Sequence, residues 1–304
     1  MTVYRADAPA KVNLSLHVGA VQDNGRHPLI SLLAFGDARV ADRLTARPAR
    51  MSSLAVSGPY AEACGPARDN LVLKAARAMA QALQGDCPHL AFELEKRLPA
   101  AAGIGGGSAD AAAALRLICE ASALPEAYPA ALRIAPTLGG DVLACLHNQA
   151  GWMRGDGDMF EPSPDIPSLP ALLVNPGLSC PTGPVFEAYD SGRVERLSHP
   201  PLHRRHRSAK GMIRFLKRRT RNDLMTPAMA LVPEIKTVLK TLTKLPGARL
   251  ARMSGSGATC FALFDTERAA EQAAELYARA APTHWCVACT LGSPAAPKRP
   301  ASSA

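Results

Sequence analysis

A glycine-rich stretch runs directly into an alanine-rich one. Residues 103–107 read Gly-Ile-Gly-Gly-Gly, and residues 108–115 read Ser-Ala-Asp-Ala-Ala-Ala-Ala-Leu. Glycine adopts backbone angles that other residues avoid, whereas alanine is the strongest helix former. The pattern therefore predicts a turn that opens a helix at about Ser108, with Ser108 as a possible cap.

A helix that begins in such a turn can bind an anion at its N-terminus. Its free N–H groups and its dipole attract an anion, and phosphate is the usual occupant. The simpler alternatives are a linker and a tight structural turn, but a linker would not normally run straight into a helix, so we favour phosphate binding. The P-loop is excluded because the chain has no Gly-Lys dipeptide. The dinucleotide fingerprint is excluded because its third glycine would fall on Ser108.

Composition excludes several classes of protein. The chain has 304 residues, of which 47% are hydrophobic, and a mean hydropathy of −0.02, so we expect a soluble globular protein with room for two domains. No apolar run approaches the roughly 20 residues of a membrane helix. No signal peptide is evident at the N-terminus, which predicts a cytoplasmic location without membrane partners. Eight cysteines are scattered, and the lone Cys286–Cys289 pair lacks two further zinc ligands, so no metal site is expected.

The net charge of +9 is concentrated in one segment. Residues 204–221 contain nine Lys or Arg and no acid. A nucleic-acid surface is one interpretation of such a run. However, the hydrophobic pairs at 212–213 and 215–216 recur at helical spacing, which favours a surface helix with a basic outer face. We therefore expect that the chain does not bind nucleic acid.

The distribution of strands, helices and prolines predicts the domain organisation. Strand and helix patterns mix without regular βαβ alternation, which is typical of an α+β fold. Four prolines between residues 161 and 170 mark a candidate domain boundary. We therefore expect one domain over residues 1–160, a second over 161–292, and a disordered Pro/Ala/Ser-rich tail over 293–304.

Three segments together resemble a known superfamily. Residues 8–16 read Ala-Pro-Ala-Lys-Val-Asn-Leu-Ser-Leu, residues 99–110 contain the glycines, and residues 252–261 read Arg-Met-Ser-Gly-Ser-Gly-Ala-Thr-Cys-Phe. In kind and order they are similar to the three motifs of the GHMP kinases, the galactose, homoserine, mevalonate and phosphomevalonate kinase superfamily. The resemblance implies N- and C-terminal GHMP kinase domains with the active site in the cleft between them. It also implies ATP as co-substrate, accompanied by Mg²⁺.

Further segments narrow the resemblance to one branch. They are Gly25-Arg26-His27, Arg68-Asp69-Asn70-Leu71, Leu138-Gly139-Gly140-Asp141-Val142, Pro181-Thr182 with Phe186, and Asn222-Asp223-Leu224. Kinases of this branch use ATP to phosphorylate the 2-hydroxyl of 4-diphosphocytidyl-2-C-methyl-D-erythritol, a cytidine-diphosphate-linked polyol of the non-mevalonate isoprenoid pathway. The alternative is a GHMP kinase of the homoserine or mevalonate type. The sequence does not give the oligomeric state.

Two residues are candidates for the chemistry. Asp141 follows two glycines and precedes an apolar segment, which suits either a general base or a helix N-cap. The resemblance implies the base, which would take the proton of the attacking hydroxyl. Lys11 is either an exposed lysine on an edge strand or, as the resemblance implies, the cation that pairs with Asp141 and favours its charged form.

The resemblance also implies the binding residues. Those implied for ATP are Asn70, Lys96, Pro99, Ala100, Ala101, Ala102, Gly103, Ile104, Gly105, Gly106, Gly107, Ser108 and Ala109. Those implied for the phosphate acceptor are Asn13, Arg26, His27, Thr182, Phe186, Ser254, Gly255, Ser256 and Gly257. Without the resemblance, Asn70 is as readily a helix cap and Lys96 an exposed strand lysine. For His27 and Phe186 the residues alone favour the simpler interpretation, a loop residue without a role and ordinary core. Arg26 stands where relatives have an aromatic, and its guanidinium can stack on a base.

Overall fold

The computed structural model describes residues 2–163, 166–192, 197 and 208–294, and it has twelve β-strands and nine α-helices within these ranges. The strands are β1 (Tyr4–Pro9), β2 (Lys11–Val18), β3 (Leu29–Gly36), β4 (Ala41–Pro48), β5 (Ser53–Ser57), β6 (Leu90–Glu95), β7 (Gly151–Arg154), β8 (Met159–Pro162), β9 (Leu169–Asn175), β10 (Leu250–Met253), β11 (Cys260–Leu263) and β12 (Trp285–Gly292). The helices are α1 (Leu71–Ala82), α2 (Gly106–Ser122), α3 (Ala127–Leu138), α4 (Val142–His147), α5 (Thr182–Asp190), α6 (Ala209–Arg219), α7 (Met225–Leu231), α8 (Glu234–Lys244) and α9 (Glu267–Ala280).

The strands form two sheets. A four-stranded sheet has the order β1-β4-β6-β5, in which only the β5–β6 pair is parallel. An eight-stranded antiparallel sheet has the order β10-β11-β9-β12-β3-β7-β8, and β2 pairs with β3 beside that path. The fold is α+β, as the sequence predicts. The larger sheet includes strands from both sides of residue 160, and β8 runs across that position, so the domain boundary expected there does not separate the two sheets and stays a prediction.

Helices α1 to α4 share one hydrophobic core with the smaller sheet. Five alanines of α2, at residues 109 and 111–114, are buried in it, and their small side chains allow the helix to lie close to β1 and α4. Helices α5, α7, α8 and α9 pack against the larger sheet in a second core. A third core joins α6 to strands of the larger sheet and to Ala102 and Ile104 of the glycine-rich stretch.

Two predicted helices are confirmed, and one boundary is wrong. Helix α6 buries the side chains at 212, 213, 215 and 216, as expected for a surface helix. Helix α2 begins at Gly106 rather than at Ser108. Gly105 takes the N-cap position with φ of 64°, and its carbonyl already accepts the hydrogen bond from Ala109 N–H at 2.8 Å. Ser108 therefore lies inside the first turn and does not cap the helix.

The sequence also led to predictions about the cysteines, about membrane-spanning helices and about the C-terminal tail. All eight cysteines are free thiols, and the described residues include no His/Cys/Asp/Glu group that could hold a metal ion. None of the helices in the described ranges is long and apolar enough to span a membrane. Residues 295–304 of the predicted disordered tail, and residues 204–207 of the basic run, lie outside the described residues.

Candidate active site

The glycine loop, residues 99–109, is held by the loop between β10 and β11. Ser254 donates its hydroxyl to the carbonyl of Gly103 at 3.0 Å, and Thr259 N–H donates to Ala102 at 3.1 Å. A Cβ on Gly103 would lie 2.4 Å from the carbonyl oxygen of Gly257, so only glycine fits at residue 103. The second and third predicted motifs therefore lie in direct contact.

The start of α2 has the geometry of an anion site. The N–H groups of Gly106, Gly107 and Ser108 precede the first intrahelical hydrogen bond, which Ala109 donates. The 17-residue helix adds the positive end of its dipole at the same point. This turn can therefore receive a phosphate group through the backbone alone.

Lys11 and Asp141 meet beside this turn. Lys11 Nζ lies 2.9 Å from Asp141 Oδ2, and it donates to Asn13 Oδ1 at 2.8 Å. The Lys11 side chain is 5% exposed, whereas that of Asp141 is 38% exposed. A Cβ on Gly105 would lie 3.1 Å from Lys11 Cε and 3.7 Å from Asp141 Oδ2. The site thus has a buried ammonium and an accessible carboxylate next to its anion-binding turn.

The simpler interpretations of these two residues do not hold. Asp141 occupies the N-cap position of α4, but its side chain makes no capping hydrogen bond. Lys11 is buried in β2 and is not an exposed edge lysine. The carboxylate of Asp141 faces Lys11 instead of the helix end.

Lys96 and Asn70 have structural partners. The interpretation of Lys96 as an exposed strand lysine is wrong, because it is 3% exposed and its Nζ lies 2.6 Å from both Asp42 Oδ2 and Asp110 Oδ2. Two of the three N–H donors of its ammonium are thus directed at carboxylates of the protein. Asn70 caps α1, since its side chain accepts from Val72 N–H at 2.9 Å. We name Asp42, Lys96 and Asp110 the buried triad.

The buried triad lies directly behind the glycine loop. A Cβ on Gly106 would lie 3.2 Å from Lys96 Nζ and 3.7 Å from Asp42 Oδ2. Burial raises the pKa of Asp110 to about 7, and the nearby charge of Asp42 adds to this effect, while Lys96 works against it. Burial lowers the pKa of Lys96, but the two carboxylates outweigh it and leave that pKa raised.

Stability should depend on pH through Asp110. Between the unfolded value of 3.8 and about 7, the folded state binds a proton that the unfolded chain releases. The free energy of unfolding should therefore fall as pH rises across this window, by up to about 1.4 kcal/mol per pH unit. Asp110→Asn should remove this slope, measured by denaturant unfolding at pH 5 and pH 7.5. An unchanged slope in the variant would contradict the assignment.

The loop between β10 and β11 carries four of the residues expected to bind the acceptor. It forms hydrogen bonds with residues of β2 and α5. Asn13 N–H donates to the hydroxyl of Ser254 at 3.1 Å. The hydroxyls of Thr182 and Ser256 lie 2.9 Å apart. Asn222 donates to the carbonyls of Met253 and Gly255 at 2.8 and 2.9 Å. Asn222 belongs to a motif noticed in the sequence, but its part in holding this loop was not predicted.

His27 and Phe186 form a second cluster. Their ring centroids lie 4.7 Å apart, and His27 Nε2 lies 2.8 Å from Asp190 Oδ1. Arg26 is exposed, and its backbone N–H donates to Asn24. Asp190 was not predicted, although it follows Phe186 by four residues on one helix and so shares its face. The structure thus brings together the loop histidine and the aromatic residue that the resemblance implies for the acceptor.

Comparison with known proteins identifies the family. Residues 70–149 match the model described as GHMP kinases N terminal domain, and residues 204–281 match GHMP kinases C terminal. The 4-diphosphocytidyl-2-C-methyl-D-erythritol kinase of Hyphomonas neptunium is 49% identical over 92% of this chain and 94% of that protein. The chain belongs to the 4-diphosphocytidyl-2-C-methyl-D-erythritol kinase family of the GHMP kinases.

Solved structures agree with this family. A crystal structure of 4-(cytidine 5'-diphospho)-2C-methyl-D-erythritol kinase is 34% identical, has a TM-score of 0.76, and covers 95% of this chain and 99% of its own. Homoserine kinase from Cytophaga hutchinsonii shares the fold at a TM-score of 0.67, with coverage of 97% and 96%, but at only 17% identity. The expected family and fold are therefore confirmed, and the homoserine type is more distant.

Proposed function

We propose that this protein transfers the γ-phosphate of ATP to the 2-hydroxyl of 4-diphosphocytidyl-2-C-methyl-D-erythritol. The observation that carries the proposal is the Lys11–Asp141 pair beside the free N–H groups of α2, in a chain of this family. Phosphoryl transfer requires held phosphates, compensated charge and a positioned nucleophile. The glycine loop, Lys11 and Asp141 can meet these three needs in turn.

ATP binds with its phosphates at the first turn of α2. The backbone N–H groups and the helix dipole hold them, and the glycines leave room for close approach. Mg²⁺ arrives as part of the MgATP substrate, since phosphate oxygens are ligands that Mg²⁺ prefers. Asn70 and Lys96 lie beside this site as structural supports, through the cap of α1 and the buried triad.

Asp141 acts as the general base. Its exposed carboxylate accepts the proton of the 2-hydroxyl as that oxygen attacks the γ-phosphorus. The bond between the γ-phosphorus and the β–γ bridging oxygen breaks, and ADP leaves with the electron pair. Lys11 orients the carboxylate through the 2.9 Å contact and offsets negative charge that develops on the transferred group.

The acceptor is recognised on the other side of the site. The cytosine ring lies against Phe186 and His27, with Asp190 fixing the orientation of the imidazole. Arg26 is exposed next to His27 and can stack its guanidinium on the base. Asn13, Thr182 and the loop of Ser254, Gly255, Ser256 and Gly257 bind the remainder of the acceptor.

Gly107→Val should weaken ATP binding by at least about 10-fold without unfolding the protein, because a branched side chain would obstruct the phosphate site. A Cβ on Gly107 meets only Leu71 Cδ1, at an ordinary 3.6 Å, whereas one on Gly106 would press on Lys96. ATP affinity and melting temperature should be measured together. Glu120→Val, on an exposed part of the same helix, controls for a β-branched residue in α2. Unchanged affinity in a folded variant would show that the loop is a structural turn only.

Phe186→Ala should raise KM for the acceptor by about 10- to 100-fold and leave KM for ATP unchanged, because a base loses its stacking surface. Phe160→Ala is the matched control. Phe160 also contacts a histidine, His147, with ring centroids 5.4 Å apart and the same interplanar angle of 37°. Equal effects of the two substitutions on the acceptor KM would contradict the assignment of Phe186.

A thermal-shift panel tests the proposed function before any turnover is measured. A ligand that binds only the native state raises the melting temperature by mass action. ATP and 4-diphosphocytidyl-2-C-methyl-D-erythritol should each stabilise the protein, whereas homoserine and mevalonate should not. Stabilisation by mevalonate or homoserine alone would favour that type of GHMP kinase. A cytoplasmic location and the absence of nucleic-acid binding remain expectations from the sequence.

A further inference from the structure

The buried triad is a group of three charged side chains that the proposed reaction does not use. Asp42 is 0% exposed, Lys96 3% and Asp110 2%. Asp42 Oδ1 accepts the backbone N–H groups of residues 97 and 98 at 2.6 and 2.8 Å, and its Oδ2 contacts Lys96. Asp110 has one contact to Lys96, while its Oδ1 has no hydrogen-bond partner among the described residues. The carboxylate of Asp110 therefore accepts fewer hydrogen bonds than that of Asp42.

The triad lies close enough to the glycine loop for its net charge to affect anion binding there. Lys96 Nζ and Asp42 Oδ2 would lie 3.2 and 3.7 Å from a Cβ on Gly106, so these two side chains pack against the turn proposed to hold the phosphates, and Asp110 belongs to the helix that this turn opens. The three side chains are buried, and Coulomb interactions between buried charges are weakly screened. With both carboxylates ionised the triad carries a net charge of −1, and with Asp110 protonated it is neutral. A negative charge behind an anion site opposes anion binding.

We propose that the buried triad tunes the glycine loop for phosphate: ionised Asp110 weakens the binding of ATP, and a proton on Asp110 relieves this opposition. The inference rests on the proposed binding of ATP at the start of α2. Asp110 thereby sets nucleotide affinity without touching the nucleotide. Binding of ATP and binding of a proton at Asp110 favour each other, because coupling between two sites is reciprocal.

Of Asp110 and the two thiols near it, Asp110 is the group whose protonation changes near pH 7. The charged groups that face it are Asp42 and Lys96, and its titratable neighbours also include the thiols of Cys64 and Cys145. Burial raises the pKa of the Cys145 thiol to about 12 and also raises that of Cys64, so both thiols stay neutral near pH 7. The pKa of Asp110 itself, raised by burial to about 7, lies in the range where a small pH change alters its charge.

The test measures the affinity for a non-hydrolysable ATP analogue with Mg²⁺ at pH 6 and pH 8.5. Wild-type affinity should fall as pH rises, because Asp110 loses its proton. Asp110→Asn should be independent of pH and should bind on the order of 3- to 10-fold more tightly than wild type at pH 8.5. Glu120→Gln removes one exposed charge from the same helix and should leave both affinities unchanged.

Other outcomes overturn the inference. A purely structural Asp110 would make Asp110→Asn bind equally or more weakly at both pH values. If that variant does not fold, titration calorimetry of the wild type provides the test. Binding enthalpies for the ATP analogue, measured at pH 7.5 in HEPES and in Tris, give the number of protons exchanged on binding. We expect the uptake of protons. Release of protons or none would overturn the inference. Failure of the wild type to bind the analogue at every pH would instead overturn the proposed function.

Discussion

Asp141→Asn should lower turnover on the order of 10²- to 10⁴-fold while leaving ATP binding nearly intact. Asparagine keeps the shape of the side chain but cannot accept the proton of the acceptor hydroxyl. If Asp141 served the start of α4 as a cap, asparagine would replace it almost without loss. The absence of a capping hydrogen bond from Asp141 already argues against that role. Steady-state kinetics with both substrates varied would separate kcat from the two KM values.

Asp265→Asn is the matched control for this substitution. It breaks another pair of an acid and a base, in which Arg249 NH2 lies 2.6 Å from Asp265 Oδ2. Asp265 lies at the end of the β10–β11 hairpin opposite to the loop of the site. The control should retain wild-type turnover. A fully active Asp141→Asn enzyme would end the assignment of Asp141 as the base.

Lys11→Met should lower turnover by on the order of 10²-fold, because the carboxylate loses its orienting partner and the transferred phosphoryl group loses a cation. The Lys11 side chain is buried, so methionine removes the charge and largely conserves the packing volume. Asp141 is exposed enough for water to replace its partner, so the variant should fold. Circular dichroism and the melting temperature would check the fold alongside kcat.

The two substitutions should be strongly non-additive if the residues act as one unit. The double variant should lose little more than Asp141→Asn alone, because Lys11 acts partly through Asp141. Losses that multiply would indicate that Lys11 acts on the phosphates independently of the base. Full activity of Lys11→Met would exclude both roles.

Much of the fold and part of the site could be predicted from the sequence. The glycines and alanines predict the turn and α2, and the hydrophobic pairs at 212–213 and 215–216 predict α6. The alternation in residues 9–18 predicts β2, but not that all eight of its residues are buried. Both faces of β2 are covered, and Asn13 and Ser15 are satisfied by hydrogen bonds to β3. An alternating hydrophobic pattern indicates one buried face of a strand, and it does not show that the polar face is covered as well.

Most of the errors concern contacts between residues that are distant in the sequence. Lys96 resembled an exposed strand lysine because its partners lie 54 and 14 residues away and a single sequence does not pair them. Asp190 and Asn222 were missed as supports for the same reason. The β7–β8 hairpin was missed because its strands have only four residues each, too few for a periodic signal.

The most direct test of the central claim is the release of ADP from MgATP with each acceptor supplied in turn. We expect ready turnover with 4-diphosphocytidyl-2-C-methyl-D-erythritol and a kcat/KM for mevalonate and homoserine that is smaller by orders of magnitude. The phosphorylated product should carry the new group on the 2-hydroxyl, which phosphorus NMR can locate. No ADP above background with the cytidine-linked polyol, together with ready turnover of mevalonate or homoserine, would contradict the account.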